Sequence, residues 1–410
     1  MKTIIFSPAA YNLAEATRTI EIAKACRGIF GILFVSYGGD FEGLIEEEGF
    51  VIRRLSPRLT AKKIDYLYKV DQGQTFGYFF SVAEVEEQVR NELALFDEIR
   101  PTAVVTGFNF SNSISCQVAG VPLVWLTHST WMFRAMYEAG LATYPDMLDA
   151  PLLRWLPERF LTWLTMKAFT LAGLIIRPFD QVARRYGLAP FRTMDRIWEG
   201  DYNLVAEPAE FCELELPPTY HYIGPLIGRL DAPVPEAILH MSKDQPIVYL
   251  AMGSSGQPEV IARIVEGFAG KPYRIIAPVR AHLEKVEQVH IPDNVLVTGW
   301  LPAHKVNPLA DISVIHGGIG TVMTACLAGT PIVGIAMQPE QEANIDCLVR
   351  KGFAIRIRKN RFTPQKLAEA IDALLADDVA RRRAKAFQKV VERWEDPSLI
   401  ADFFEKTFGP

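Results

Sequence analysis

Short apolar runs bounded by Gly, Pro, Asp or Asn recur along the chain and alternate with stretches of helical spacing. The first run, residues 3–7, leads through a loop into a segment where Leu13, Ala16, Ile20 and Ala23 share one helical face. Further runs at 31–36, 103–106, 123–126 and 174–176 predict strands in the first half. Residues 208–243 break the rhythm: Pro217, Pro218, Pro225, Pro233 and Pro235 crowd a stretch without periodicity, which predicts a linker. The alternation then resumes with runs at 247–252, 274–277, 295–298, 312–315, 332–335 and 354–357. Thr363-Pro364 and Asp396-Pro397 read as helix starts, and Gly352 as a helix end. Strands that are apolar throughout and separated by helices predict parallel sheets covered on both faces. The pattern therefore predicts two doubly wound α/β domains with a cleft between them, and such sheets bind ligands beyond the carboxyl ends of their strands.

Composition narrows the classes. With 410 residues the chain exceeds a single comfortable core. Its 49% hydrophobic and 22% charged residues describe a globular protein, and a net charge of −5 argues against a nucleic-acid partner. Cys26, Cys116, Cys212, Cys326 and Cys347 show no CxxC spacing and read as reduced thiols of a cytoplasmic protein. The run 163–176 contains Lys167 and falls short of a bilayer span, so no membrane crossing is expected. The seven His are scattered without metal-ligand spacing, and no metal or cofactor is expected.

Candidate chemistry concentrates at 298–347, TGWLPAHKVNPLADISVIHGGIGTVMTACLAGTPIVGIAMQPEQEANIDC. His316 ends a predicted strand and leads into Gly317-Gly318-Ile319-Gly320-Thr321, which opens a helix. Glycines admit a diphosphate close to the backbone, and the helix N-terminus offers free N–H groups; mere close packing of strand and helix is the alternative. The ordered succession Gly-Trp-x-Pro, His-Gly-Gly-x-Gly-Thr, Ala-Gly-x-Pro and Glu-Gln followed by Asn closely resembles the donor-binding segment of UDP-glycosyltransferases, in particular the bacterial macrolide and antibiotic type. Val248–Ser255 (VYLAMGSS) is similar to the strand and loop that open that family's C-terminal domain, and 201–226 to its linker.

The resemblance implies a GT-B fold: an acceptor domain at 1–208, a linker at 209–243, a nucleotide-sugar domain at 244–392, and a final helix at 393–410 packing back on the first domain. It implies an inverting, metal-independent transfer of a hexose-type sugar from a UDP- or dTDP-sugar to a hydroxyl of a small apolar or aromatic acceptor. By the same resemblance His316, Gly318, Gly320 and Thr321 contact the pyrophosphate, with Ser254 and Ser255 facing it. Trp300 stacks on the base, unless it is a core aromatic, and Glu340 and Gln341 meet sugar hydroxyls. Ala303 stands where the family often has Gln, and Glu340 where it usually has Asp.

The family's general base, a His in the first loop held by an Asp after a later strand, is absent. Glu15 falls at the His position and Gly107 at the Asp position. A carboxylate base has no tautomer to fix, so the two losses cohere, and Glu15 becomes the candidate base. Asn12-x-x-Glu15 also fits a helix capping box. On the acceptor side, Trp125, Trp131, Trp155 and Trp163 cluster with Phe133, Met136, Phe160 and Phe169. The cluster reads as an acceptor pocket, a helical core or a peripheral membrane-facing patch. A nucleotide-sugar hydrolase or epimerase, and a non-catalytic nucleotide-sugar-binding subunit, are the rival readings. Neither composition nor motif separates monomer from homodimer.

Overall fold

A computed structural model describes residues 1–71, 74–75, 77–229, 232–253 and 256–409, with the side chains of 170–172 left aside. Two parallel sheets carry the molecule. The first has seven strands, β1 (Thr3–Ser7), β2 (Gly31–Ser36), β3 (Ile52–Arg54), β4 (Ala103–Thr106), β5 (Leu123–Thr127), β6 (Tyr202–Val205) and β7 (Tyr220–Tyr222), in the order β3-β2-β1-β4-β5-β6-β7. The second has β8 (Ile247–Ala251), β9 (Arg274–Ala277), β10 (Val295–Val297), β11 (Ile312–Ile315), β12 (Ile332–Gly334) and β13 (Ala354–Arg356), ordered β10-β9-β8-β11-β12-β13.

Alternation along β1 explains how the first sheet is covered. Ile4 and Phe6 face one layer with Ile20, Phe34, Val105 and Leu126, while Ile5 faces the other with Val35, Val104, Trp125 and Phe179. The second sheet is buried on both sides by its helices, as its largely apolar strands require. The last helix, Pro397–Phe408, starts on Asp396, whose side chain accepts from Ser398 N, and lies on the first sheet through Ile400, Phe404 and Phe408. Lys2 Nζ donates to Phe408 O at 3.1 Å and ties the two chain ends together.

Four local readings differ, the first being β3, whose Ile-Arg-Arg carries no apolar run to mark it. Residues 174–176, an apolar triplet expected as a strand, form part of a 3₁₀ turn (Gly173–Ile176) between two helices, where Ile176 still reaches the core. β6 escapes the pattern because Tyr202-Asn203-Leu204-Val205 mixes polar with apolar residues. β7 lies inside the proline-rich segment expected as linker, and its Tyr-His-Tyr pairs only with β6 at the sheet edge.

Candidate active site

In each sheet the strand order reverses once, between β1 and β4 and between β8 and β11. Crevices form at such reversals, at the carboxyl ends of the strands. The two face each other, and Glu15, His128, His316 and Glu340 lie where they meet.

On the C-terminal side, β11 delivers His316 into a glycine cage. A Cβ at Gly253 or Gly318 would collide with the imidazole, so only glycine lets the loops close over this ring. Gly253 has φ +57, a backbone that glycine takes without strain. The His316 Nδ1 lies 3.3 Å from Ala251 O. A carbonyl only accepts, so Nδ1 carries the proton and Nε2 keeps its lone pair. Burial pushes the imidazole down to about 4, against the pull of the Ala251 carbonyl. Gly317, with φ +92, is pressed against Gln341 O and Ile345. The helix Ile319–Ala328 follows, capped at its far end by Gly329 in the left-handed region. Its first intrahelical bond is Val322 N to Gly318 O, at 2.9 Å. The N–H groups of Ile319, Gly320 and Thr321 thus have no acceptor within the helix, and Gly320 and Thr321 are half-buried at its mouth. Trp300 is 59% exposed, which removes the core-aromatic reading. Ser254 and Ser255 lie outside the described residues.

Glu340 reaches across the cleft. Its Oε1 accepts from Asn344 Nδ2 at 2.5 Å and meets His128 Nε2 at 3.0 Å, so both bonds fall on one oxygen. Gln341 does not come to the cleft. It is buried, its oxygen accepts from Met337 N at 2.9 Å and its nitrogen donates to Gln338 Oε1 at 2.9 Å. The exposed amide is that of Gln338, which donates to Asp71 Oδ2 at 3.0 Å.

On the N-terminal side, Asn12 caps the helix Leu13–Cys26 by accepting from Ala14 N and Glu15 N. Glu15 does not complete the box, for Asn12 N donates to Ala9 O instead. The Glu15 carboxylate is 2% exposed; Oε1 is paired with Arg18, and Oε2 is buried without a partner. A Cβ at Gly107 would run into that free oxygen. The missing side chain at Gly107 is therefore the space Glu15 occupies.

His128, at the end of β5, carried no motif in the sequence, yet it joins the two sides. Its Nδ1 lies 3.5 Å from Arg18 Nη1 and its Nε2 bonds Glu340. Burial lowers its pKa, with Glu340 opposing and Arg18 assisting. A guanidinium only donates, so Nδ1 is the acceptor and the neutral ring gives its Nε2 proton to Glu340. Trp131 packs on this ring at 4.9 Å and on Phe108 and Trp198 at 5.7 and 5.3 Å. The Trp cluster separates by position: Trp125 is core, stacked on Phe110; Trp131 lines the interior beside the cleft; Trp155 and Trp163 face outward.

The halves are held together beside this site. Thr130 Oγ1 donates to Asn344 Oδ1 at 2.8 Å, and Arg356 of β13 binds Asp146, Glu342 and Asp346. Among the described residues no group of three His, Cys, Asp or Glu is placed to hold a metal ion.

Comparison with known proteins agrees with this arrangement. Residues 273–399 match the family described as erythromycin biosynthesis protein CIII-like, C-terminal domain. The chain is 27% identical over 341 residues to a PGL/p-HBAD biosynthesis glycosyltransferase of Mycobacterium tuberculosis, covering 81% of this chain and 76% of that one. It is 26% identical over 198 residues to the demethyllactenocin mycarosyltransferase of Streptomyces fradiae, covering 47% and 41%. Among solved structures, spinosyn forosaminyltransferase aligns with a TM-score of 0.70 at 15% identity over 99% of this chain and 98% of that one. The glycosyltransferase VinC, solved with dTDP, aligns at 0.66 and 15% identity over 98% and 100%. The chain thus has the GT-B fold, its residues 273–399 are similar to the erythromycin CIII-like C-terminal domain, and the relatives it matches are glycosyltransferases.

Proposed function

We propose that the protein transfers a hexose-type sugar from a UDP- or dTDP-sugar to a hydroxyl of a small apolar or aromatic acceptor, with inversion and without a metal ion. The observation that carries this reading is the caged His316 beside the open N-terminus of the 319–328 helix, across the cleft from Glu15. The helix N–H groups and His316 would receive the leaving diphosphate, a task that otherwise falls to a cation. Trp300 offers the base an exposed platform. Glu340, with Oε1 fixed by Asn344 and His128, keeps Oε2 for a sugar hydroxyl. Gln341 acts behind it, holding Gln338 and the Met337 backbone. Glu15 Oε2 would take the acceptor proton as the acceptor oxygen attacks the anomeric carbon. The sugar–phosphate bond breaks on the opposite face, and a single displacement inverts the centre. The aromatic interior around Trp131, Phe108 and Trp198 suits an apolar acceptor.

Incubation with UDP- and dTDP-sugars and a panel of hydroxylated aglycones, in EDTA, tests the whole reading by mass spectrometry. Glycoside of inverted configuration is expected. Free sugar or an epimer alone would favour the hydrolase or epimerase, and unchanged donor a non-catalytic subunit. Trp300→Ala should weaken nucleotide binding by about 1–3 kcal/mol, the worth of a base–aromatic stack. Unchanged calorimetric affinity would remove Trp300 from the base site.

His316 gives a pH signature. Burial holds its imidazole down at about 4, and a diphosphate beside Nε2 would raise it. Between the two values binding takes up a proton, so affinity should rise as pH falls. Calorimetry at pH 6 in buffers of different ionisation enthalpy reads this uptake directly. Zero uptake would mean that only backbone N–H groups meet the phosphates.

A further inference from the structure

The helix Glu158–Ala172 is apolar on two faces. Leu161 is buried on one face, beside Thr165, while Phe160 and Trp163 stand out on the other, stacked at 5.6 Å. The preceding turns add Met147, Leu152 and Trp155, exposed by 73%, 88% and 90%. A helix apolar all round belongs in a core or in lipid, and this one lies on the outside. Contiguous exposed apolar surface marks an interaction site.

Charge identifies the partner. Between 147 and 177 the exposed basic residues Arg159, Lys167 and Arg177 meet one exposed acid, Glu158, while Arg154 is paired with the buried Asp149, in a chain of net charge −5. Lys167 Nζ lies over the exposed Trp163 ring, 5.8 Å from its centroid. Aromatic rings bordered by cations fit the headgroup level of an anionic bilayer. The stretch 158–185 is long and apolar enough to span a membrane by length and composition. Its second part, however, packs in the core of the first sheet through Ile176, Phe179, Val182 and Ala183. The segment is therefore held to the protein and can only lie on a surface. From it a line of rings runs inward: Phe133 on Phe169 at 5.1 Å, Phe169 to Trp198 at 6.1 Å, Trp198 to Trp131, and Trp131 to His128.

We infer that Met147, Leu152, Trp155, Phe160 and Trp163 form a membrane-docking surface that seats the protein on anionic lipid, from which an apolar acceptor reaches the cleft. The docking stands on surface chemistry alone; the acceptor route rests on the proposed function. Co-sedimentation of the full chain with vesicles of phosphatidylcholine alone, or mixed with phosphatidylglycerol, tests the docking. Binding to the anionic vesicles that weakens with salt is expected. Trp155→Ser/Trp163→Ser should reduce it by about tenfold or more, the worth of burying a large apolar side chain, with an unchanged melting temperature. No sedimentation, or equal sedimentation of the variant, would overturn the docking. So would a dimer in light scattering that the same substitutions abolish, since a second copy would then be the occupant. For the route, the variant should turn over a vesicle-borne hydroxylated acceptor several-fold more slowly and a water-soluble one normally. Equal rates on both would overturn the route and leave the docking. Vesicle binding without turnover on any acceptor would tell against the transferase reading instead.

Discussion

Replacing Arg356 by Gln is expected to cost about 3–5 kcal/mol of stability, the usual consequence of removing one partner from a buried ion cluster. The Arg356 side chain is buried at the junction of the two halves. It donates to Asp146 at 2.6 Å and to Asp346 at 2.5 Å and is paired with Glu342. Asp146 belongs to the first half and also accepts from Arg358 at 2.9 Å and Lys359 N at 2.7 Å. A glutamine would leave three carboxylates facing one another with little water. Burial already holds Glu342 up at about 7, with Arg356 pulling it down. Without the guanidinium these carboxyls move higher. A carboxyl raised in the folded state binds a proton there, and its stability contribution is lost as pH rises through that range. The loss in Arg356→Gln should therefore be larger at pH 8 than at pH 6. Urea midpoints at the two pH values read both effects. A loss under about 1 kcal/mol, typical of an exposed pair, would show that water screens the cluster.

That cluster was silent in the sequence, and the reason is distance: Asp146 meets Arg356 and Arg358, 210 and 212 positions away, only when the halves dock. His128 was missed for the same cause, since Arg18 and Glu340 lie 110 and 212 positions away. What could be read was local. The apolar runs at 3–7, 31–36 and 312–315 became strands because a strand buried on both faces is mostly apolar and lacks a polar face. The same rule failed at 174–176, because a buried 3₁₀ turn shows an identical triplet. Thr363 and Asp396 start helices as their side chains require, accepting from Lys366 N and Ser398 N. The family motif located the crevice but not the orientation of each side chain. Within Gln338-Pro339-Glu340-Gln341 the amide at the cleft is the first one, because the helix Pro339–Lys351 turns Gln341 inward. Gly107 reads in the sequence only as a missing Asp, because the reason for the glycine, room for Glu15 Oε2, comes from a residue distant along the chain.

Glu15→Gln is expected to lower the turnover number by about 10²–10⁴-fold if its carboxylate is the general base. The Arg18 pair changes how this variant must be judged. Glutamine keeps the size but not the charge, and Arg18 is buried beside it. The single variant should therefore also lose stability, by up to about 3 kcal/mol for a buried cation left without its anion. Lost turnover alone would not separate a base from a counterion. The double variant Glu15→Gln/Arg18→Met does. It removes the unpaired cation, replaces the guanidinium by a flexible apolar chain, and should recover most of the melting temperature. A base deleted from the reaction stays deleted, so turnover should remain low in the double variant although the fold is restored. Arg18→Met alone keeps the carboxylate and should retain far more activity than either Gln variant. Turnover that returns with stability in the double variant would make Glu15 the counterion of Arg18 only. His128, the imidazole joined to both Arg18 and Glu340, would then be the group to test as base, by the loss of the acid limb of the pH–rate profile in His128→Gln.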